Sequence, residues 1–484
     1  MRIGLLARAS LLVAALAGAA LANGRDPYGS SVHFRPGMET HIIAGMTFGA
    51  VRSDDNGATW QWYCEDAIGY GGTYDPDYEI TPTGAVFATT FDGLKVMRDG
   101  CTFAATPPGM TFVSRVERSA MGGALYYSAV TDTDTKIYKS TDDGVTFSTG
   151  TLPPGSGEGD WWQSLIVAPS DAQRLYLSGY RTPKKCVAGT NANNTCMMNT
   201  DCPGSTCEPR KEFLLFKSTD GGGSFVTMDQ SDITPLSQNS TIDLVGVDPT
   251  NKDILYARVT YETATSGDRI WKSLDAGANW TSILSKSSNI GGLSFLVRND
   301  GSCVAGTRDL GAWKSAYVNN QGCGATWVDL TTAPHVGCLY KNPVTDEVWA
   351  CTQNNASPQL GITSDGFGLM KSSDLATWTG MLRFQDIQKP VTCDGATVQK
   401  MECEDKNWCC LVSQTMISST VIDCEGPQRC GGIQPEPAID GVTQVEKPEP
   451  GCFGCGASGG PPAMLSLLVG SLLLFRRRRP KKES

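Results

Sequence analysis

The stretch "KSTDGGGSF", residues 217–225, holds three glycines, a lysine, a serine and a threonine, the composition of a loop that cradles phosphate. A phosphate loop needs its lysine inside the motif, a buried strand before it and a long helix after it. Here Lys217 precedes the motif, and strand-like sequence follows. The stretch also recurs. S-x-D-x-G-x-x-[WF] appears at Ser53, Asp55, Gly57, Trp60; at Ser140, Asp142, Gly144, Phe147; at Ser218, Asp220, Gly222, Phe225; and at Ser273, Asp275, Gly277, Trp280. Degenerate copies stand at 97–103, 314–327 and 372–378, making seven at intervals usually of 43 to 55 residues. Recurrence at such a period marks architecture rather than a ligand site.

The chemistry of the motif fits a turn. Asp and Ser side chains fold back onto turn amides, and glycine takes a backbone conformation closed to other residues. The aromatic residue starts the outgoing strand and can bury its ring between neighbouring units. A second element precedes each copy: an apolar residue, a polar turn and a short β-rich run, as in "VDPTNKDILYARV" (247–259) and "YKNPVTDEVWACT" (340–352). Four short strands per repeat of about 50 residues describe a propeller blade. No long stretch between 30 and 385 keeps a helical period. The fold expected is all-β, a seven-bladed propeller of four-stranded antiparallel blades.

On these motifs the chain resembles the Asp-box (BNR) propellers over residues 30–385. That group includes sialidases, xyloglucanases, sortilin-type receptor domains and photosystem assembly factors. The resemblance implies the fold and says little of activity. The sialidase signature F-R-I-P finds only "HFRPG" (33–37), with Phe34 and Arg35 but no isoleucine.

Both ends read as processing signals. Arg2 and Arg8, an apolar run and Ala20-Leu21-Ala22 form a secretory signal over 1–22 that ends at Ala22. At the other end, Cys452, Cys455, an apolar helix near 463–475 and Arg476 to Arg479 fill 452–484. The arginines fix a cytoplasmic end. This tail resembles the myxobacterial C-terminal sorting signal (MYXO-CTERM), which implies cleavage by a membrane sorting protease near Cys452 or Cys455 and surface display. An ordinary membrane anchor is the alternative. The formal charge is −10; without the signal and the tail beyond Cys455 it is −17. A surface this acidic repels phosphate backbones, so nucleic acid is excluded as a partner.

The 18 cysteines of an exported chain imply disulfides. Cys338 and Cys351 flank the turn "NPVTD" symmetrically, which places them opposite each other on paired strands. Cys303 with Cys323, and Cys64 with Cys101, remain by elimination. Cys186, Cys196, Cys202 and Cys207 fall in an insertion at 184–209, where two bridges replace a core and three pairings are open. Residues 391–430 form a Cys-rich module (Cys393, Cys403, Cys409, Cys410, Cys424, Cys430) that resembles inhibitor cystine knots in spacing. A stapled region packed on the propeller is equally compatible. A Pro/Glu linker follows at 431–451.

If the repeated turn joins third and fourth strands, ligand-binding loops lie on the opposite, upper face. Aromatics interleaved with carboxylates suit a glycan or protein ligand there. The candidates are Asp66, Tyr70, Tyr74, Asp75 and Tyr78 in 64–81, and Asp160, Trp161 and Trp162 in 153–164, which also carries Glu158. No catalytic residue, cofactor or metal site is assigned; Asp75, Asp77 and Glu79 stand as a calcium alternative. The function expected is non-enzymatic binding by a surface-displayed propeller. The alternative is an exo-acting glycosidase of the sialidase type, for which Asp66 and Asp160 are a conceivable pair.

Overall fold

Seven blade sheets follow one another along the chain from Gly29–Phe34 to Thr379–Leu382, and a two-stranded sheet stands in the insertion of the fourth. The computed structural model describes residues 27–409 and 411, apart from 72–73, 107–111, 131–134, 158, 235, 262–266, 289 and 291. The signal with Ala22, Glu158, Cys410, Cys424, Cys430, the linker, Cys452, Cys455 and the apolar tail lie outside the described residues. Among the described residues, no helix is long and apolar enough to cross a membrane.

Six of the blades hold four antiparallel strands in meander order. Blade 3 has three, with an isolated bridge between Ile137 and Thr151 where the fourth would run. The innermost strands line one central channel, and that of blade 7 (Cys338–Lys341) packs beside that of blade 1 (Gly29–Phe34) to close the ring. The core is distributed between the blades; Phe34 meets Trp349 edge to face at 5.5 Å across the seam.

The recurring motif is a turn from third to fourth strand. Ser218 Oγ donates to Asp220 Oδ1 at 2.7 Å and accepts the Gly222 amide at 2.9 Å. Asp220 then accepts the Ser224 amide and hydroxyl at 2.9 and 2.6 Å. The same set recurs at Ser53, Ser140 and Ser273. The hydrogen bond from Ser224 leads those that hold the Asp220 carboxyl down at about 2. The glycine is required twice over at Gly144: its φ is +71°, and a Cβ there would lie 2.3 Å from the Phe87 ring of the preceding blade. The aromatic residue reaches back across the blade boundary, Trp60 Nε1 to Met381 O at 2.9 Å and Trp280 Nε1 to Asp229 O at 3.0 Å.

Three expected disulfide features are present: Cys338–Cys351, Cys303–Cys323, and two bridges inside the insertion, Cys186–Cys202 and Cys196–Cys207. The pairing of Cys64 with Cys101 is wrong. Cys64 bonds Cys403, and Cys101 bonds Cys393. The segment after blade 7 therefore runs as a strap over blades 1 and 2. Lys389–Pro390 adds in parallel to Gln61–Tyr63, the outer strand of blade 1, and buried Gln399 donates to Trp62 O and Val391 O at 2.9 and 3.2 Å. Cys393 and Cys403 are thus unavailable for a cystine knot within 391–430.

Candidate functional site

The repeated turns define a lower face. The connections between blades, and those from second to third strand, lie on the other side of the ring. On that upper side four aromatic rings stand in a row across blades 2 to 4. Tyr74 precedes the innermost strand of blade 2, and Phe91 turns between its second and third strands. Phe112 and Trp161 are the first residues of the innermost strands of blades 3 and 4. Centroids are 4.8 Å apart for Tyr74–Phe91, 5.0 Å for Phe91–Phe112 and 4.5 Å for Phe112–Trp161. The last two pairs are stacked at 27°. The stack forms an apolar ridge in which Phe91 is 52% exposed and Tyr74, Phe112 and Trp161 are half-buried. Tyr74 is anchored through its hydroxyl to Thr89 Oγ1 at 2.6 Å and Val113 O at 3.2 Å.

Close to the ridge along the chain, Asp75 after Tyr74 and Gln163 after Trp161 line the central channel, a cavity of about 590 Å³. Its walls carry Asp75, Asp77, Glu79, Glu117 and Asp243 with Arg115, Arg258, His33 and Tyr340. Innermost strands are sheet edges, so their outward amides need partners. The carboxylates supply several of them. Asp77 of blade 2 accepts the Val116 amide of blade 3 at 3.1 Å, and Glu117 of blade 3 accepts the Val167 amide of blade 4 at 3.5 Å. Ser164 of blade 4 does the same for Leu244 of blade 5 at 3.0 Å. Burial raises the Glu79 carboxyl to about 7 against the opposing charge of Arg118, 3.5 Å away. Burial likewise lifts Glu117 well above the carboxylate range, with Glu79 adding to the effect. Burial lowers His33 to about 4.

Of the residues expected at the site, Tyr74 and Trp161 belong to the ridge, and Asp75 lines the channel. Others have structural work. Trp162 is fully buried against Phe216, because successive strand residues face opposite sides. Tyr70 is buried and donates to Met46 O and Gly49 O, and Tyr78 is 1% exposed. Asp160 is buried beside Arg181 at 3.2 Å, with desolvation raising its carboxyl; Asp66 is exposed and accepts from Asn407 at 3.0 Å. The insertion leaves blade 4 between its second and third strands, and Arg181 at its base faces the loop that holds Asp160. Phe91, Phe112, Glu79 as a channel residue, and Glu117 escaped the sequence reading. A lone aromatic at a strand end carries no signal that separates ridge from core.

Asp75, Asp77 and Glu79 do not bring three ligand atoms within 4.8 Å of one another. The group among the described residues that does, Cys186, Cys196 and Cys202, is oxidised in disulfides and offers no thiolate. Arg35, which matches the sialidase signature, follows the innermost strand of blade 1 at the lower face. It therefore cannot serve the upper mouth of the channel.

No protein-family model and no curated protein matches the chain. Solved structures similar to it include an ancestral GH74 enzyme (14% identity, TM-score 0.47, covering 69% of this chain and 44% of that one). A YCF48 protein from Cyanidioschyzon merolae aligns at 12% identity and TM-score 0.36, over 66% of this chain and 90% of the other. The Dos1 propeller aligns at 11% and 0.40, over 75% and 86%. This chain spans less than half the length of the GH74 enzyme. The blade-by-blade strand order makes the chain a seven-bladed β-propeller.

Proposed function

We propose that this is an exported, non-enzymatic binding propeller of the Asp-box type that holds a glycan or protein ligand on its upper face. The observation that carries the reading is the four-ring ridge across blades 2 to 4. A partly exposed, pre-organised apolar strip bordered by polar groups is the usual makeup of a recognition surface. Six disulfides among the described residues fit an oxidising compartment. The sequence of the tail supports display at the cell surface after processing near Cys452 or Cys455, with the sorting protease as a transient partner.

One observation favours a second reading, glycoside hydrolysis: the raised carboxyls of Glu79 and Glu117, since a carboxyl protonated near neutrality can act as a general acid. The hydrogen bond of Glu117 to Val167 and the ion pair of Glu79 with Arg118, each across a blade boundary, explain them as structural, and binding is preferred. The secreted chain applied to a glycan array, beside a panel of fluorogenic glycosides, separates the two. Saturable capture without turnover supports binding. Turnover abolished by Glu117→Gln, with the melting temperature unchanged, would replace it with hydrolysis.

A further inference from the structure

On the lower face, between blades 1 and 2, the chain departs from its own repeat. In the degenerate copy at 97–103, Met97 occupies the place of the turn serine, and Arg98 follows it. Beside this copy lies a cleft of about 290 Å³. Its floor is apolar: Ile43, Ile80, Val86 and Met97, all buried. Its rim carries three guanidinium groups, Arg35, Arg52 and Arg98, and the imidazole of His41. In a chain with a formal charge of −10, three guanidinium groups around one cleft need a reason.

The carboxylates present account for two of the three. Arg52 is held by Asp54 through Nε at 2.9 Å and Nη2 at 2.7 Å, and Asp54 also faces His41 Nδ1 at 3.4 Å. Arg98 is anchored on Asp143, through its carbonyl at 2.7 Å and its carboxylate at 3.5 Å. Asp99 is committed to its own turn, accepting the amides of Cys101 and Thr102 at 2.8 and 2.7 Å. Arg35 stands apart. Its Nε donates to Pro82 O at 3.0 Å, and no carboxylate pairs with it among the described residues. The backbone makes room for it: Gly84 has φ +92°, and a Cβ there would sit 3.1 Å from Arg35 Cζ and Nη1. Gly100 likewise leaves 3.4 Å to Arg52 Nη1.

We infer that this cleft is a second binding site, separate from the upper face, for a small oxyanion on an apolar body. A carboxylate or a phosphate or sulfate monoester bridges Arg35 and the rim cations by charge-assisted hydrogen bonds, while its apolar part covers Ile43, Ile80, Val86 and Met97. One uncompensated guanidinium matches one anionic group. Guanidinium suits this work because its planar fork pairs with two oxygens at once.

The test titrates the full secreted chain with phenyl phosphate, benzoate and inorganic phosphate by calorimetry at low and high salt. Phenyl phosphate or benzoate binds saturably at one site, inorganic phosphate binds at least tenfold more weakly, and salt weakens both. Arg35→Gln lowers affinity for the aromatic anion at least tenfold with the melting temperature unchanged. Gly84→Ala, which displaces the Arg35 side chain, gives the same loss and checks the geometry independently. Unchanged affinity in Arg35→Gln, or the absence of saturable binding of either aromatic anion, overturns the site. Equal binding of inorganic phosphate overturns the role of the apolar floor. Trp161→Ala leaves these titrations unaltered; a loss there would merge the two sites and contradict the inference.

Discussion

Two cysteine-rich regions of this chain use the same bond for opposite ends. In the insertion at 184–209 the bridges span 16 and 11 residues and join parts of one loop. Lys184–Cys186 pairs with Cys207–Pro209, and the interior is little more than the sulfurs, with Met197 82% exposed. In the strap the bridges span 339 and 292 residues and join the end of the ring to its beginning. The first pair makes a small loop rigid without touching the ring. The second restrains the whole propeller, whose seam between blades 7 and 1 is otherwise non-covalent in the described residues. Cross-linking limits the unfolded chain more as the closed loop lengthens, so the two regions should differ sharply in their effect on stability.

Removing the strap bridges is the harshest way to probe that difference. Replacing Cys64, Cys101, Cys393 and Cys403 together by Ser should destabilise by roughly 4–5 kcal/mol, read from denaturant unfolding. Either pair removed alone should show a smaller drop, because the remaining bridge still closes the ring. A loss below about 1 kcal/mol for all four would mean that blade packing alone closes the propeller.

The repeated turn gives a yardstick between the extremes. Asp220→Ala removes acceptors for the Ser224 amide and hydroxyl and for Ser218, and should cost about 1–2 kcal/mol. Upper-face binding should be intact in this variant, since the turn lies on the other side. A binding loss at unchanged stability would show that the turn is a site after all.

The channel supplies a smaller, pH-dependent effect. Because burial raises Glu79 to about 7 in the folded state, its stability contribution is complete below the unfolded value near 4.5. It is lost as pH rises through 7, since the folded protein then holds a poorly solvated charge. His33, lowered to about 4, works in the opposite sense, losing stability as pH falls from about 6.5 through 4. The wild-type profile blends the two, so the variant is the cleaner probe. The melting temperature of Glu79→Gln minus that of the wild type should grow from pH 5 to pH 8, by on the order of 1 kcal/mol equivalent. A constant difference would remove the burial argument. The least effect belongs to the insertion: deleting 184–209 with a Gly-Ser bridge should leave the melting temperature unchanged. Unfolding of that variant would erase the contrast with the strap.

The propeller was legible because its turn chemistry is local: a serine, an aspartate and a glycine within five residues repeat wherever the third strand ends. Cys338 and Cys351 were legible for the same reason, flanking one hairpin in register. The partners of Cys64 and Cys101 were not, because nothing near either residue reports a segment some 300 positions away. The site was half legible. Trp161 and Trp162 look alike in the sequence, and only the strand pleat sends one to the ridge and the other to the core. Phe91 and Phe112 join Trp161 only when three blades meet in space, and no pattern in one strand reports that meeting.

The upper-face ridge is tested most directly by the affinity of Phe91→Ala and Trp161→Ala for the best glycan captured on the array, measured by calorimetry beside the melting temperature. Phe91 is half exposed, so its truncation should leave the melting temperature within a degree or two. Both variants should bind at least tenfold more weakly than the wild type while remaining folded. Wild-type affinity in both would contradict the ridge as the binding surface.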